Sequence, residues 1–137
     1  MTQRTPESFQ EIGRARLPGL LGIEVLEVAQ GSARLRLPIR GDLLAPNGFL
    51  HAGAVVTLAD TAAGYGCVAS LPEGATGFTT IELKSNFFGT ARSGAIATTA
   101  RMVHGGRRTQ VWEADVVDET TGKAIARFAC TQMVLWP

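Results

Sequence analysis

Apolar and polar residues follow two different periods in the first third of the chain. Residues 6–16 are mostly polar and predict a short helix that ends at Pro18-Gly19. Residues 21–37 alternate between apolar and polar side chains on either side of Gln30-Gly31, which predicts a β-hairpin. Residues 38–46 read as a loop.

A long apolar helix and four strands are predicted in the remainder. The helix spans about Ala52 to Ser70 and ends before a breaker sequence, Leu71-Pro72-Glu73-Gly74. The predicted strands are residues 78–88, 95–103, 109–117 and 123–136. Short loops join the last three strands, so we expect an antiparallel meander. One helix can cover only one face of a sheet of about six strands, which indicates an α+β fold with a face or edge free for another subunit.

Composition narrows the classes of function. The chain has 137 residues, 45% hydrophobic and 18% charged, with a net charge of +1. This favours a single domain over residues 1–137, with residues 1–19 as a helix and lead-in. The scattered charge argues against nucleic acid as a partner, and no apolar run approaches a membrane span of about 18 residues. Cys67 and Cys130 lack metal-ligand spacing, so we expect no metal and a cytoplasmic protein with reduced thiols.

An acid stands at the centre of the apolar helix. The residues three and four positions from Asp60 are Val56, Thr57, Ala63 and Gly64, so its helix face is small and apolar. A solvent-facing Asp60 is the simplest alternative. A partly dehydrated carboxylate would instead have a raised pKa and act as a base or nucleophile.

The helix entrance carries a second set of candidate groups. Asn47-Gly48 predicts a turn, and the backbone N–H groups of Ala52 and Gly53 lie in the first helical turn, where they lack helical acceptors. Such a terminus can stabilise a developing oxyanion. His51 is equally consistent with a capping or packing role.

The length of the helix separates these two sets of groups. Eight residues lie between Ala52 and Asp60, or about 12 Å at 1.5 Å per residue. A reacting carbonyl must lie within about 3 Å of both groups, so one chain cannot supply both. If they act together, two antiparallel helices of a symmetric dimer must supply them.

Several segments resemble one enzyme family. Asn47-Gly48, His51-Ala52-Gly53 and Leu58-Ala59-Asp60 are similar to the signature of hotdog-fold acyl-CoA thioesterases of the phenylacetate-pathway (PaaI-like) type. The similarity runs from about Leu20 to Val134 and includes residues 79–88, 91–94 and 104–108. It implies a long central helix wrapped by a curved antiparallel sheet of about six strands.

The resemblance also implies a reaction, the hydrolysis of an acyl-CoA thioester. Asp60 would be the general base or nucleophile, and the backbone N–H at Ala52 would polarise the thioester carbonyl. Asn47 and His51 would place the acyl group or water, and Thr80, preferred over Thr79, would assist the water. The family commonly has two glycines after the histidine, and Ala52 replaces the first. A homodimer is expected, with a tetramer as a dimer of dimers.

Coenzyme A is here part of the substrate, and no separate cofactor is expected. Its phosphates call for cations and backbone donors. The candidates for these contacts are Arg92, Arg107, Arg108, Gly105 and Gly106. A solvated arginine pair is the alternative for Arg107-Arg108.

The resemblance gives the least information about the identity of the acyl group. Phenylacetyl and hydroxyphenylacetyl groups are preferred, with medium-chain acyl groups close behind. Two other functions stay open: a hotdog acyl-thioester hydratase or dehydratase, and a non-catalytic acyl-CoA-binding protein.

Overall fold

The computed structural model describes residues 4–137, which begin with two short helices. Helix α1 spans Pro6–Gly13 and starts with a capping box. The side-chain oxygens of Thr5 and Ser8 each accept a hydrogen bond from the backbone N–H of the other residue. Helix α2 spans Leu17–Leu21. The expectation that Pro18-Gly19 ends the first helix is wrong, because proline fits the first turn of a helix and Pro18 lies there in α2.

Six antiparallel strands form one sheet, as the sequence predicts. They are β1 (Glu24–Ala29), β2 (Ser32–Pro38), β3 (Gly77–Phe87), β4 (Ala95–Gly105), β5 (Thr109–Asp118) and β6 (Ala124–Leu135). Their order is β1-β2-β4-β5-β6-β3. The hairpin and the β4-β5-β6 meander are confirmed. Strand β4 extends beyond its predicted end to Gly105.

Helix α3 spans Ala52–Ala69 and packs on one face of this sheet. Its buried residues are small or aliphatic: Ala54, Val55, Leu58, Ala59, Ala62, Ala63, Gly64, Gly66 and Cys67. Small side chains let the helix axis approach the strands closely. A Cβ atom at Gly66 would lie 2.5 Å from the ring of Trp112, which is fully buried. The central helix on the sheet therefore agrees with the expected fold.

By length and composition alone, α3 meets the criteria for a membrane-spanning helix. It has 18 residues with a mean hydropathy of 1.2, so the expectation that no run approaches a span is wrong. Half of its residues are buried within the fold. A core helix passes the same test because it buries apolar side chains against other protein elements.

Among the strands of residues 4–137, β3 pairs only with β6 and is an edge strand. Its exposed apolar side chains, with the following residue, are Ile81, Leu83, Phe87 and Phe88. The strand runs antiparallel to α3, because Phe78 contacts Gly64 while Phe87 shares a cavity with Ala52 near the start of the helix. An unpaired edge with apolar side chains can pair with another strand.

We expect Gly66→Ala to destabilise the protein by about 1–3 kcal/mol, because the added methyl overpacks the helix against Trp112. Urea denaturation of the purified variant measures this change. Gly41→Ala is the matched control, since no atom lies within 4 Å of its added Cβ and it should be near neutral. An unchanged denaturation midpoint for Gly66→Ala would show that α3 does not pack this closely.

Candidate active site

His51 caps the start of α3. Its Nδ1 atom accepts a hydrogen bond of 2.7 Å from the backbone N–H of Gly53. The expectation that both first-turn N–H groups are free is therefore wrong, because the capping imidazole engages Gly53. Within residues 4–137, the N–H of Ala52 has no hydrogen-bond acceptor. It remains available to a ligand at the positive end of the helix dipole.

Hydrogen bonds fix the loop that enters α3. The His51 N–H donates to the carbonyl of Leu43 at 3.0 Å, and the Leu50 N–H donates to Thr90 Oγ1 at 3.0 Å. Asn47 accepts from the Phe49 N–H through Oδ1 at 3.1 Å, so its carbonyl oxygen closes the turn. The predicted substrate-placing role of Asn47 would fall to its exposed amide nitrogen.

A mostly apolar cavity of about 480 Å³ lies at the start of α3, with Ala52 in its lining. Its lining residues are Phe49, Leu50, Ala52, Val55, Phe87, Gly89, Thr90 and Ile125. The guanidinium of Arg92 lies 4.9 Å from the centroid of the Phe49 ring. A cationic side chain thus stands beside an apolar cavity at the helix entrance.

Asp60 lies midway along α3 and is partly buried. Its Oδ1 atom is buried and has no hydrogen-bond partner among the described residues. Desolvation raises the pKa of this carboxyl group, as the sequence predicts. Burial also raises the pKa of Cys67 to about 11 and, with a smaller contribution from Asp60, that of Cys130 to about 12. These thiols stay protonated at neutral pH.

Thr80 lies on the helix-facing side of β3, at the level of Asp60. Phe78 contacts Gly64, which is one helical turn after Asp60, and Thr80 is two residues after Phe78 on a strand antiparallel to the helix. The step from Gly64 back to Asp60 along the helix and the step from Phe78 to Thr80 along the strand each cover about 5–7 Å in the same direction. The Thr80 hydroxyl donates to Gln132 Oε1 at 2.8 Å. Thr79 is paired with the exposed Met133 and lies on the other face of the sheet.

One protomer does not bring all predicted groups together. Ala52 and Asp60 stay about 12 Å apart along the helix. Arg92 lies near the start of α3, whereas Gly105, Gly106 and Arg107 line a second cavity with Ser70 at its end. The 18 residues of α3 separate these two clusters by about 27 Å.

The cavity at the end of α3 has a volume of about 560 Å³ and a more polar lining than the first. Arg107 stacks on Trp136, with its guanidinium carbon 4.1 Å from the ring centroid. The Trp136 indole N–H donates to the Arg107 carbonyl at 3.0 Å. Both arginines are exposed, and Arg107 is held in place by these contacts with Trp136.

Sequence reasoning missed Gln132 and the aromatic walls Phe49 and Phe87. Gln132 is fully buried on β6, at the same strand parity as Phe128, Cys130 and Val134. A polar residue at an inward-facing position of an otherwise apolar strand was the available signal. For the two phenylalanines no signal distinguished a cavity wall from ordinary core packing.

Comparison with known proteins identifies the family. The profile of the thioesterase superfamily matches residues 47–125, a segment that contains the entrance of α3, Asp60 and Thr80. The chain belongs to the thioesterase superfamily. It is a thioester hydrolase with a hotdog fold.

Relatives of this thioesterase carry a specific activity in their names. A 1,4-dihydroxy-2-naphthoyl-CoA hydrolase of Listeria monocytogenes is 34% identical over 111 residues, which cover 81% of this chain and 89% of the relative. The protein of the same name in Escherichia coli is 30% identical over 118 residues, with 84% of each chain covered.

Solved structures agree with the fold of the thioesterase. A thioesterase from Haemophilus influenzae superposes with a TM-score of 0.90 at 25% identity and covers 98% of this chain and 92% of its own. The PaaI protein of the E. coli phenylacetic acid degradation operon has a TM-score of 0.78 at 23% identity, with 86% and 83% covered. The similarity to the PaaI protein supports the fold alone.

We expect Asp60→Asn to stabilise the fold at neutral pH. Burial raises the pKa of Asp60 above its ordinary value of 3.8, so the folded state is penalised at pH values where the carboxylate is ionised. The penalty is complete above the raised pKa and disappears as the pH falls below 3.8. The amide carries no charge and avoids this penalty. Thermal unfolding of both proteins between pH 4 and 8 should therefore show a difference in Tm that shrinks towards acid pH, and a constant difference would contradict the desolvated carboxylate.

Proposed function

We propose that the protein hydrolyses aryl-acyl-CoA thioesters at a site shared by two subunits. Asp60 of one subunit activates water or attacks directly, and the Ala52 N–H of the other stabilises the oxyanion. The observation that carries this proposal is the pair of unsatisfied groups on one helix. They are a free backbone donor on Ala52, which lines an apolar cavity, and a desolvated carboxylate about 12 Å away.

The cavity supports the choice of an aryl-acyl group. Two of its walls are the rings of Phe49 and Phe87, and aliphatic side chains supply most of the remainder. Aromatic walls favour a planar ring through offset or edge-to-face packing. Two relatives are named for hydrolysis of 1,4-dihydroxy-2-naphthoyl-CoA, so this bicyclic substrate is the first candidate, ahead of phenylacetyl-CoA and medium-chain substrates.

Strand β3 supplies the surface for the dimer. Two copies pairing their free β3 edges in an antiparallel manner would form one continuous sheet and bury the exposed Ile81 and Leu83. Because β3 runs antiparallel to α3, the two helices would also lie antiparallel. Pairing centred near Glu82 and Leu83, midway between the levels of Asp60 and Ala52, would place Ala52 of one subunit beside the partner's Asp60.

The shared site accounts for each chemical step. The carbonyl oxygen of the thioester accepts from the Ala52 N–H, which is already aimed outward and carries the positive end of the helix dipole. As a base, Asp60 removes a proton from a water that also contacts Thr80, and the water oxygen attacks the carbonyl carbon. As a nucleophile, Asp60 forms an anhydride that water then hydrolyses. Both routes break the C–S bond, release CoA thiol and need an ionised Asp60.

The same dimer would assemble the CoA-binding residues. With the partner's Asp60 beside Ala52, the end of the partner's α3 lies ten residues, or about 15 Å, beyond the site. The partner's Arg107 and the partner's Arg108 then lie on the side where Arg92 stands at the helix entrance. These three cations and the N–H groups near Gly105 and Gly106 are proposed to bind the phosphates of CoA.

A tetramer and a cytoplasmic location stay predictions. The outer face of the sheet exposes Met133 and Leu135, and a second dimer packed there would cover them.

Ala52→Pro removes the proposed oxyanion donor while preserving the helix. Proline is favoured at the first helical position, and His51 already has φ −63° and ψ 131°, a conformation compatible with a following proline. We expect kcat to fall by about 10²–10³-fold with little change in Tm, since one N–H is lost from the transition state. Thiol release measures kcat, and an unchanged kcat would remove Ala52 from the mechanism.

Mixed dimers test whether the site is shared. We expect Asp60→Asn alone to lose about 10²–10⁴-fold in kcat. Co-refolding it with Ala52→Pro makes half of the dimers mixed, and each mixed dimer has one of its two sites intact. The mixture should therefore recover about a quarter of wild-type activity. A mixture as inactive as its components, with subunit exchange verified by mass spectrometry of tagged chains, would place both groups in one chain.

A panel of acyl-CoA substrates tests the acyl group. We expect kcat/KM to be highest for 1,4-dihydroxy-2-naphthoyl-CoA, lower for phenylacetyl-CoA and lowest for octanoyl-CoA, measured by thiol release. Phe87→Leu should reduce the preference for aryl substrates, because it removes one aromatic wall of the cavity. A highest kcat/KM for octanoyl-CoA would contradict the aryl-acyl assignment.

A further inference from the structure

Two fully buried glutamines lie opposite each other on β5 and β6, and their hydrogen bonding differs. Gln110 accepts from the Trp112 indole N–H at 2.7 Å and donates to the Ser70 carbonyl at 3.1 Å. Gln132 accepts from Thr80, but its Nε2 has no partner among residues 4–137. Gln110 is therefore a satisfied structural residue, whereas Gln132 keeps a buried donor unused.

Gln132 fixes the direction of the Thr80 hydroxyl. The side-chain oxygen of glutamine only accepts, so the hydroxyl hydrogen of Thr80 points to Gln132. The Thr80 oxygen then retains its lone pairs and can accept a hydrogen bond from water. It cannot donate to Asp60 at the same time, which agrees with the unpartnered Oδ1 of that carboxylate.

Asp60 lies close to this part of β6. Its charge raises the pKa of Cys130, which precedes Gln132 by two residues and faces the same side of the sheet. The unpartnered atoms are complementary, since Asp60 Oδ1 accepts and Gln132 Nε2 donates. A water between them can donate to Asp60 and Thr80 and accept from Gln132.

We propose that Gln132 is a positioning residue for hydrolysis, which holds the Thr80 hydroxyl as an acceptor and orients the water that Asp60 deprotonates. The inference rests on the role of Asp60 in the proposed function. In this role, the buried amide of Gln132 keeps two acceptors, Asp60 and Thr80, directed at one water.

Gln132→Met tests the proposal, because methionine has a similar volume but cannot accept from Thr80. We expect kcat to fall about 10- to 100-fold with an unchanged KM, since the water loses its orientation. The acid limb of the kcat–pH profile should also move to lower pH. The freed Thr80 hydroxyl can then donate to Asp60, and a hydrogen bond to the charged form lowers the pKa of a carboxyl group. A structural role would not move this limb.

Gln110→Met is the matched control in the same row of the sheet. It should lower Tm through the loss of its bonds to Trp112 and Ser70, yet leave kcat and the acid limb unchanged. Thr80→Val supplies a second comparison. If Gln132 acts through Thr80, Thr80→Val combined with Gln132→Met should lose no more kcat than the larger single loss. Fully additive losses would overturn the proposal.

Gln132→Glu keeps an acceptor for the Thr80 hydroxyl and serves if the methionine variant fails to fold. We expect it to lose about 10-fold in kcat at an unchanged KM, because a carboxylate cannot donate to the water. Its added charge should move the acid limb to higher pH, opposite to the shift in Gln132→Met, because a nearby carboxylate raises the pKa of Asp60. A wild-type kcat and pH profile would overturn the proposal. Wild-type kcat in Gln132→Met would do the same. These outcomes are separate from failure of the proposed function, which would show as wild-type kcat in Asp60→Asn.

Discussion

The rigid length of α3 is the constraint on which the active site depends. A helix holds its residues at fixed intervals, so the free N–H of Ala52 and the carboxylate of Asp60 cannot approach one another within a chain. Each group alone is only half of the proposed hydrolytic site. The same helix runs antiparallel to an exposed edge strand, and in the proposed dimer a second copy placed there would supply the missing half at both ends of a symmetric interface.

The fold that holds Asp60 also disfavours its charge. Alanine and glycine residues let α3 lie close to the sheet, and this close packing removes water from the carboxylate. No hydrogen bond within the described residues compensates Oδ1. Such a group lowers the stability of the protein at neutral pH and at the same time becomes a stronger base, a conflict that is common at catalytic positions.

The sheet around the site combines structural and functional polar groups. Gln110 ties Trp112 to the end of α3, so its amide completes the core. Gln132, one strand closer to the edge, bonds the only threonine of β3 that faces the helix. The position of each residue relative to the edge strand therefore gives two chemically identical side chains different hydrogen-bond partners.

Local sequence determined the elements of this protein. The apolar run after His51 predicted α3, alternation predicted the β1-β2 hairpin, and the small apolar neighbours of Asp60 indicated its dehydration, because all of these depend on neighbours within a few positions. Tertiary structure decided what distant residues do to one another. Only the folded chain placed β3 beside β6, turned His51 onto the Gly53 N–H, brought Gln132 to Thr80 and separated Arg92 from Arg107 by the length of a helix. Short loops indicated which neighbouring strands pair. The pairing of distant strands and side chains arises from contacts between segments far apart in sequence, and local patterns do not show which of those segments meet.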